Sequence, residues 1–192
     1  MVPNSEFKPE ELDDVPQRAL MDLGGVFKAS SHLNNGWKNP RLDSRTGIHS
    51  ASGQGGLEQW WQVDLPADDY YEATAMTLMK RGDNAARDRL ITAVQFQFSQ
   101  DNGKSWHDHA GGKWFKTGQN RNDNAQVERQ ITITPPMHGN AFRVILDASH
   151  KVGPCYHGRF DLWVTKDEDY KAQEDLEEEP QRALMDMGAT SS

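Results

Sequence analysis

Arg81-Gly82-Asp83, followed by Arg87 and Arg89, gathers three guanidinium groups and a carboxylate into one short segment. Guanidinium donors sit in a fixed fork that suits the vicinal hydroxyls of a sugar, and a carboxylate orients them. An aromatic ring beside such a group packs on a sugar's apolar face, and Trp60-Trp61 lie upstream. The plainer alternative is that Asp83 and Arg87 pair with each other and fix the loop. The same Arg-Gly-Asp tripeptide is one that integrins recognise, a use that needs an exposed loop tip. A second set lies in His32-Leu33-Asn34-Asn35-Gly36-Trp37-Lys38-Asn39. His32, Asn34 and Asn35 suit hydroxyl groups, and Trp37 suits stacking or insertion into a membrane, unless it packs back onto the body of the fold. A third is Gly118-Gln119-Asn120-Arg121-Asn122-Asp123-Asn124, rich in amide donors and acceptors, with Asn122 near its centre. Its alternative is a plain solvated turn.

Catalytic chemistry is harder to find. His107-x-His109 has the look of a two-ligand zinc pair, but no third or fourth ligand stands nearby, so a hairpin loop is the expectation. Cys155 is the chain's one cysteine and lacks a motif for nucleophilic catalysis, which leaves a buried or half-buried free thiol as the default. No nucleophile–base pair, Gly-rich phosphate loop or metal cluster is legible, so an enzyme is not expected.

The elements that must position these loops read as β. In residues 92–98, Val94, Phe96 and Phe98 alternate with Gln95 and Gln97, the period-two pattern of a half-buried strand. Gln130–Thr134, Phe142–Leu146, Phe160–Val164, Trp61–Leu65 and Ala75–Lys80 are further short strands. Asp101-Asn102-Gly103, Gly111-Gly112, Pro135-Pro136 and Gly153-Pro154 read as the turns between them. Short strands, long polar loops and no long helical pattern predict an all-β sandwich or jelly roll.

Of the 192 residues, 17 are aromatic, which excludes a wholly disordered chain. No apolar run approaches the roughly 20 residues of a spanning helix. No N-terminal stretch reads as a signal peptide, so a secretion signal is expected to have been removed or to lie outside this chain. The net charge of -8 is uneven. Residues 1–21 carry -3 and residues 166–192 carry -6, which leaves the centre near neutral. A nucleic-acid partner would call for a large basic excess, and none is present.

One repeat stands out. Pro16-Gln17-Arg18-Ala19-Leu20-Met21-Asp22-Leu23-Gly24 recurs as Pro180-Gln181-Arg182-Ala183-Leu184-Met185-Asp186-Met187-Gly188, identical at eight of nine positions and preceded each time by an acidic segment. The economical reading is one module and the start of a neighbour in a tandem array; two copies of a linker would look the same. The organisation expected is an acidic linker over 1–21, one domain over 22–166, and an acidic linker with the start of a following repeat over 167–192.

Ala29-Ser30-Ser31, Trp60-Trp61-Gln62-Val63-Asp64-Leu65, Phe96-Gln97-Phe98-Ser99-Gln100-Asp101-Asn102-Gly103-Lys104-Ser105-Trp106, Phe142-Arg143-Val144 and Gly158-Arg159-Phe160-Asp161-Leu162 together resemble the discoidin family, also called the coagulation-factor type C domain, of the galactose-binding-like superfamily. Their order and spacing fit across roughly residues 22–166. The resemblance implies an eight-stranded antiparallel jelly-roll β-sandwich whose loops at one end bind glycans, phospholipid heads or proteins. Many family members also close the sandwich with a disulfide between the domain's ends. A single cysteine cannot do this, and the closing acidic residue is Asp161 rather than Glu. Fucose-binding lectins of the superfamily share the Trp-Trp strand and an Arg-x-Asp. Here the second arginine, Arg87 or Arg89, is displaced by one position, and the histidine, nearest at His49, is misplaced.

The expectation is a secreted adhesion module of extracellular matrix or adhesive secretions. It would bind cell-surface or matrix glycans and glycoproteins, galactose-type first, through His32, Asn34, Asn35, Trp37, Arg81, Asp83, Arg87, Arg89 and Asn122. Neighbouring discoidin repeats would add avidity. The alternative is a module for anionic phospholipid or a protein ligand of integrin type. Membranes are not the expectation, because Trp37 is the one strong apolar residue among polar loop tips. The resemblance also implies a structural Ca²⁺ held by a loop and the last strand: Pro40, Asp43, Arg45, Ser50 or Ser52, and Asp161. Oxygen donors with two carboxylates suit that ion.

Overall fold

A computed structural model describes residues 15–30, 39–44, 47–49, 59–80, 90–120, 122–124, 126–147, 157–168 and 170. Among these, eleven strands follow in chain order: β1 (Gln17–Arg18), β2 (Val26–Ala29), β3 (Ile48–His49), β4 (Gln59–Asp64), β5 (Tyr71–Met79), β6 (Ala93–Ser99), β7 (His107–Asp108), β8 (Phe115–Lys116), β9 (Glu128–Gly139), β10 (Ala141–Leu146) and β11 (His157–Lys166). They form two antiparallel sheets. One runs β1-β11-β5-β9 with β3 also on β11; the other runs β2-β4-β10-β6-β7 with β8 also on β6. The all-β sandwich expected from alternation is what the chain forms. The expected number is eight; seven of the eleven strands are longer than two residues, and β1, β3, β7 and β8 are two-residue pairings. No helix among the described residues is long and apolar enough to cross a membrane.

The two sheets meet along their inward side chains. On β6, Val94 and Phe96 are fully buried, while Gln97 on the opposite face donates to Asp108 Oδ1 at 2.8 Å. β4 contributes Trp61 and Val63, β10 contributes Phe142, Val144 and Leu146, and β11 contributes Phe160, Leu162 and Val164. Trp61 stacks on Phe160 across the gap, centroids 5.1 Å apart, and Phe27 meets Phe160 edge-on at 6.1 Å. Trp61 and Phe160 are among the largest fully buried side chains, and Phe27 packs against the core from its edge.

Two expectations are corrected. Pro135-Pro136 is not a turn but lies inside β9. Ala73 pairs with Met137 and Ala75 with Thr132, so residues 133–136 bulge opposite Thr74. Prolines have no N–H to give a ladder, and a bulge asks for none. The second correction is the domain's start. Gln17 and Arg18 pair with Val164 and Trp163, and Ala19 and Leu20 are buried in the core, so the folded body takes in residues that were assigned to the linker. The segment 19–25 carries the chain from the edge of one sheet to β2, the edge of the other.

The hairpin after β6 turns as expected through Asn102 (φ 60°) and Gly103 (φ 79°). Asp101 organises it: its carboxylate accepts from Ser99 Oγ at 2.7 Å, Lys104 N at 3.1 Å, Ser105 N at 2.8 Å and Ser105 Oγ at 2.6 Å. Those donors hold the carboxyl well below the ordinary carboxylate range. Among the described glycines, a Cβ at Gly139 would meet the tightest contact, 2.3 Å from the Ser99 carbonyl oxygen. Gly139→Ala is therefore expected to cost on the order of 2 kcal/mol or more, read as a lower denaturation midpoint with an unchanged slope.

Candidate functional site

The strands deliver five connections to one end of the sandwich. Ala29 pairs with Trp61, Leu146 with both Gln59 and Val94, and Ala93 with Lys116, which places the exits of β2, β10 and β8 beside the entries of β4 and β6. In the other sheet Met79 pairs with both Arg159 and Glu128, and Ile48 with Gly158. The two sets face each other, because a Cβ on Gly158 would lie 3.1 Å from Trp61 Cη2 and 3.6 Å from Ile91 Cδ1. The described residues that flank 31–38, 50–58, 81–89 and 148–156, and the described residues of 117–127, therefore lie at this end. The opposite end is closed by short connections: Leu65 N donates to Asn140 O at 2.9 Å, and Tyr70 Oη to Gln100 O at 3.1 Å.

Most sequence-predicted site residues belong to those segments. His32, Asn34, Asn35, Trp37, Arg81, Asp83, Arg87 and Arg89 lie outside the described residues, as do Arg45, Ser50, Ser52 and Cys155. Asn122 is described and exposed. It rides on a loop tied by its own polar groups. Asn122 N donates to Asn120 Oδ1 at 2.9 Å, Asn120 N to Asp123 Oδ2 at 2.9 Å, and Arg129 pairs with Asp123 at 2.6 Å. Lys80 Nζ donates to Asp123 O at 2.8 Å, so the 120–124 turn is fastened to the exit of β5, where Arg81 follows. Residues 120 and 122–124 are thus tied to the exit of β5 rather than left as a plain solvated turn.

The described members of the expected calcium set do not fit a cation cage. The Pro40 carbonyl accepts from Phe160 N at 2.9 Å. Asp43 is exposed and paired with Arg41 at 3.1 and 3.2 Å. Asp161 is fully buried, and its oxygens accept from Leu20 N at 2.8 Å, Met21 N at 3.1 Å and Leu162 N at 2.9 Å. A carboxylate ringed by amide donors has turned its charge toward the 19–25 segment, not toward Asp43. The carbonyls of Leu42 and Ser44 in the same loop accept from Arg159 Nη1 at 2.7 and 3.1 Å, and Arg159 Nε donates to Lys80 O at 2.9 Å. A side-chain cation thus stands on the carbonyls of this loop.

Arg159 and Asp161 form a complementary pair of fasteners on one face of β11. Alternation turns both away from Phe160, Leu162 and Val164. The cation collects carbonyl oxygens from 42, 44 and 80, and the anion collects N–H groups from 20, 21 and 162. Burial pushes the Asp161 carboxyl up to about 6 in spite of its three amide donors, and burial lowers Arg159 from its ordinary value. The expectation for Asp161 is a calcium ligand; alternation alone does not show that β11 is covered on both faces, with Arg159 and Asp161 buried.

A second group was also missed. Arg143 on β10 is sandwiched between Trp60, 4.4 Å from its ring, and Trp106, 3.9 Å from its ring. Its Nη2 donates to Gln62 Oε1 at 2.9 Å, and Gln62 Nε2 donates to Asp64 Oδ1 at 2.6 Å. Of the two tryptophans at 60 and 61, Trp61 belongs to the core and Trp60 to this stack. The stack holds the 101–106 turn onto the sheet by cation–π attraction. His107 and His109 are a hairpin, not a metal pair. His107 packs beside Phe98, while His109 is buried against Phe115 and Phe96, and burial lowers its pKa so that the neutral ring is favoured. Glu72, His138 and Asp167 bring ligand-type atoms within 4.8 Å of one another at the short-loop end. There His138 Nδ1 and Asp167 Oδ2 are 2.8 Å apart, and the His138 ring stacks on Tyr170 at 5.0 Å. That group fastens the end of β11.

The fold has clear relatives among solved structures. Discoidin II from Dictyostelium discoideum superposes with a TM-score of 0.58 at 16% identity, over 90% of this chain and 63% of that one. An F5/8 type C domain from Bacteroides fragilis gives 0.60 at 11% identity, over 79% and 97%. A family 32 carbohydrate-binding module from Clostridium perfringens NanJ, solved in complex with galactose, gives 0.50 at 13% identity, over 72% and 93%. This chain thus spans less than two thirds of the discoidin II chain. No curated protein matches it. The F5/8 type C domain model matches residues 26–158, well over half of the 192, and the chain belongs to the F5/8 type C, or discoidin, domain family.

Proposed function

We propose that this chain is a non-catalytic carbohydrate-binding module that takes galactose-type glycans at the loop end of its sandwich. It would act in adhesion outside the cell. The observation that carries this reading is topological. The described stems of the two segments richest in hydroxyl-recognising side chains, Ser30 and Asn39 for 31–38 and Lys80 and Leu90 for 81–89, lie at the same end as the tied amides around Asn122, which supports this reading. Family membership agrees with it, as does the galactose complex of a solved relative of the same fold. Arg81, Arg87 or Arg89 would donate to vicinal hydroxyls, Asp83 would accept from them, and Trp37 would cover the apolar face of the ring. A single shallow site of this kind binds weakly, and the repeated nonapeptide supports use in series, where linked modules gain effective concentration.

A glycan array in calcium and again in chelator tests it. Binding to glycans ending in galactose or N-acetylgalactosamine is expected, equal in both conditions because Arg159 already holds the loop carbonyls. Arg81→Ala or Arg87→Ala should weaken it roughly ten- to a hundredfold, as loss of a charged hydrogen bond does. A blank array, with binding instead to phosphatidylserine vesicles or to an integrin, would overturn the glycan reading.

A further inference from the structure

The repeated nonapeptide has a structural role that its first copy displays in full. Gln17 and Arg18 pair with β11 at the edge of the sheet, opposite Val164 and Trp163. Ala19 N donates to Leu162 O at 2.9 Å, extending the pairing by one residue. Leu20 N and Met21 N then donate to Asp161, while Ala19 and Leu20 enter the core. Arg18 folds back onto Asp22, Nη2 to Oδ1 at 2.9 Å, and its guanidinium lies 5.9 Å from the Trp163 ring. Every one of these contacts is made by residues 17–22, and the second copy repeats all six unchanged as Gln181, Arg182, Ala183, Leu184, Met185 and Asp186. The chain thus carries one slot and two keys.

We propose that Pro180–Gly188 of the same chain is an alternative occupant of the β1 slot, in exchange with Pro16–Gly24. The geometry favours it. β1 is antiparallel to β11, so a segment that follows β11 and doubles back would lie in the slot in the same direction. Val164, the partner of Gln17, is six residues before Tyr170, so at most roughly 21 Å separates Tyr170 from the mouth of the slot, while residues 171–180 span up to roughly 35 Å. A tether this short gives an effective concentration in the millimolar range. Edge strands are the elements most open to exchange, because their pairing is made on one side alone. Within the nonapeptide the two keys differ at Leu23/Met187, and they part again directly after it. Ala189 stands where Gly25 is, and a Cβ on Gly25 would lie 2.8 Å from both Ala19 O and Val63 Cγ1. The second copy therefore docks as far as Gly188 and leaves the slot there. When it docks, the first copy is released and is free to enter the slot of a neighbour, which links one module to the next without any new binding surface.

A mutant cycle in the full chain tests this. Ala19→Asp places a carboxylate in a fully buried position and expels the first key. Because the second key takes its place, the denaturation midpoint of Ala19→Asp should fall by less than half of the fall seen in Ala19→Asp/Ala183→Asp. Ala183→Asp alone should leave it unchanged. The milder set Leu20→Ala, Leu184→Ala and their combination repeats the comparison should the aspartate variants not fold. Amides of Leu184 and Met185 should gain protection from hydrogen exchange in Ala19→Asp, equally at all protein concentrations. Equal losses in the single and double variants would overturn the proposal. So would protection that grows with concentration, which would assign the slot to a second copy of the chain.

Discussion

Arg159→Met should lower folding stability by about 3–5 kcal/mol. The guanidinium is the donor to three backbone carbonyls, those of Leu42, Ser44 and Lys80, in a place with 4% exposure. Methionine fills the stem's volume and donates nothing, so these carbonyls would lose their charged donor in a buried place. Arg159→Lys keeps the charge but not the fork and should fall between the two. Urea denaturation of the three proteins measures the series. Added calcium should not restore Arg159→Met; restoration would mean that the loop carbonyls turn readily to a metal. The effect should also reach function, because Arg159 joins Leu42 and Ser44 to the exit of β5, one residue before Arg81.

Asp161→Ala is the second large effect, about 3 kcal/mol, since it strips the acceptor from the Leu20, Met21 and Leu162 amides at once. Its pH dependence has a definite sign. Burial raises the folded-state carboxyl to about 6, above the ordinary aspartate value near 3.9. The folded protein thus holds this proton more tightly than the unfolded chain does. The stability from that difference is fully present below about pH 4 and is lost as pH rises through about 6, a change of roughly 3 kcal/mol. Asp161→Asn cannot titrate. The stability of the wild type minus that of Asp161→Asn should therefore decrease between pH 4 and pH 7. His109, whose neutral form is favoured by burial, acts in the opposite direction as pH falls, but it is common to both proteins and cancels in the difference. A flat difference would mean that the three amides hold the carboxyl near its ordinary value.

The strands were legible because alternation is a local property. Val94, Phe96 and Phe98 announce β6, and Asp101-Asn102-Gly103 announces the turn that follows it. What escaped was set by pieces of chain far away. Pro135-Pro136 looks like punctuation until β5 is laid beside it and the prolines fall in a bulge. Gln17 and Arg18 are too short a strand to show a period, and only the Asp161 carboxylate and the Leu162 carbonyl, some 140 residues on, explain why the domain begins there. Arg159 and Asp161 sit at outward positions of β11, where alternation assigns them to solvent; other parts of the chain lie over that face and bury them. The Trp60–Arg143–Trp106 stack likewise joins residues from three separate elements. The loops that carry the candidate binding residues follow the same rule: composition names their chemistry, and the order of strands sets their described stems at one end.

The most direct test of where a glycan binds is a backbone-amide NMR titration of the full chain with galactose. Shifts should concentrate at the loop end, at the stems Ser30, His49, Lys80 and His157 and at Asn122, and in segments 31–38 and 81–89. The amides of Gly139, Glu72 and the Trp60–Arg143–Trp106 stack should stay in place. Shifts confined to that stack or to the short-loop end, with the loop-end amides unmoved at saturating sugar, would contradict the site.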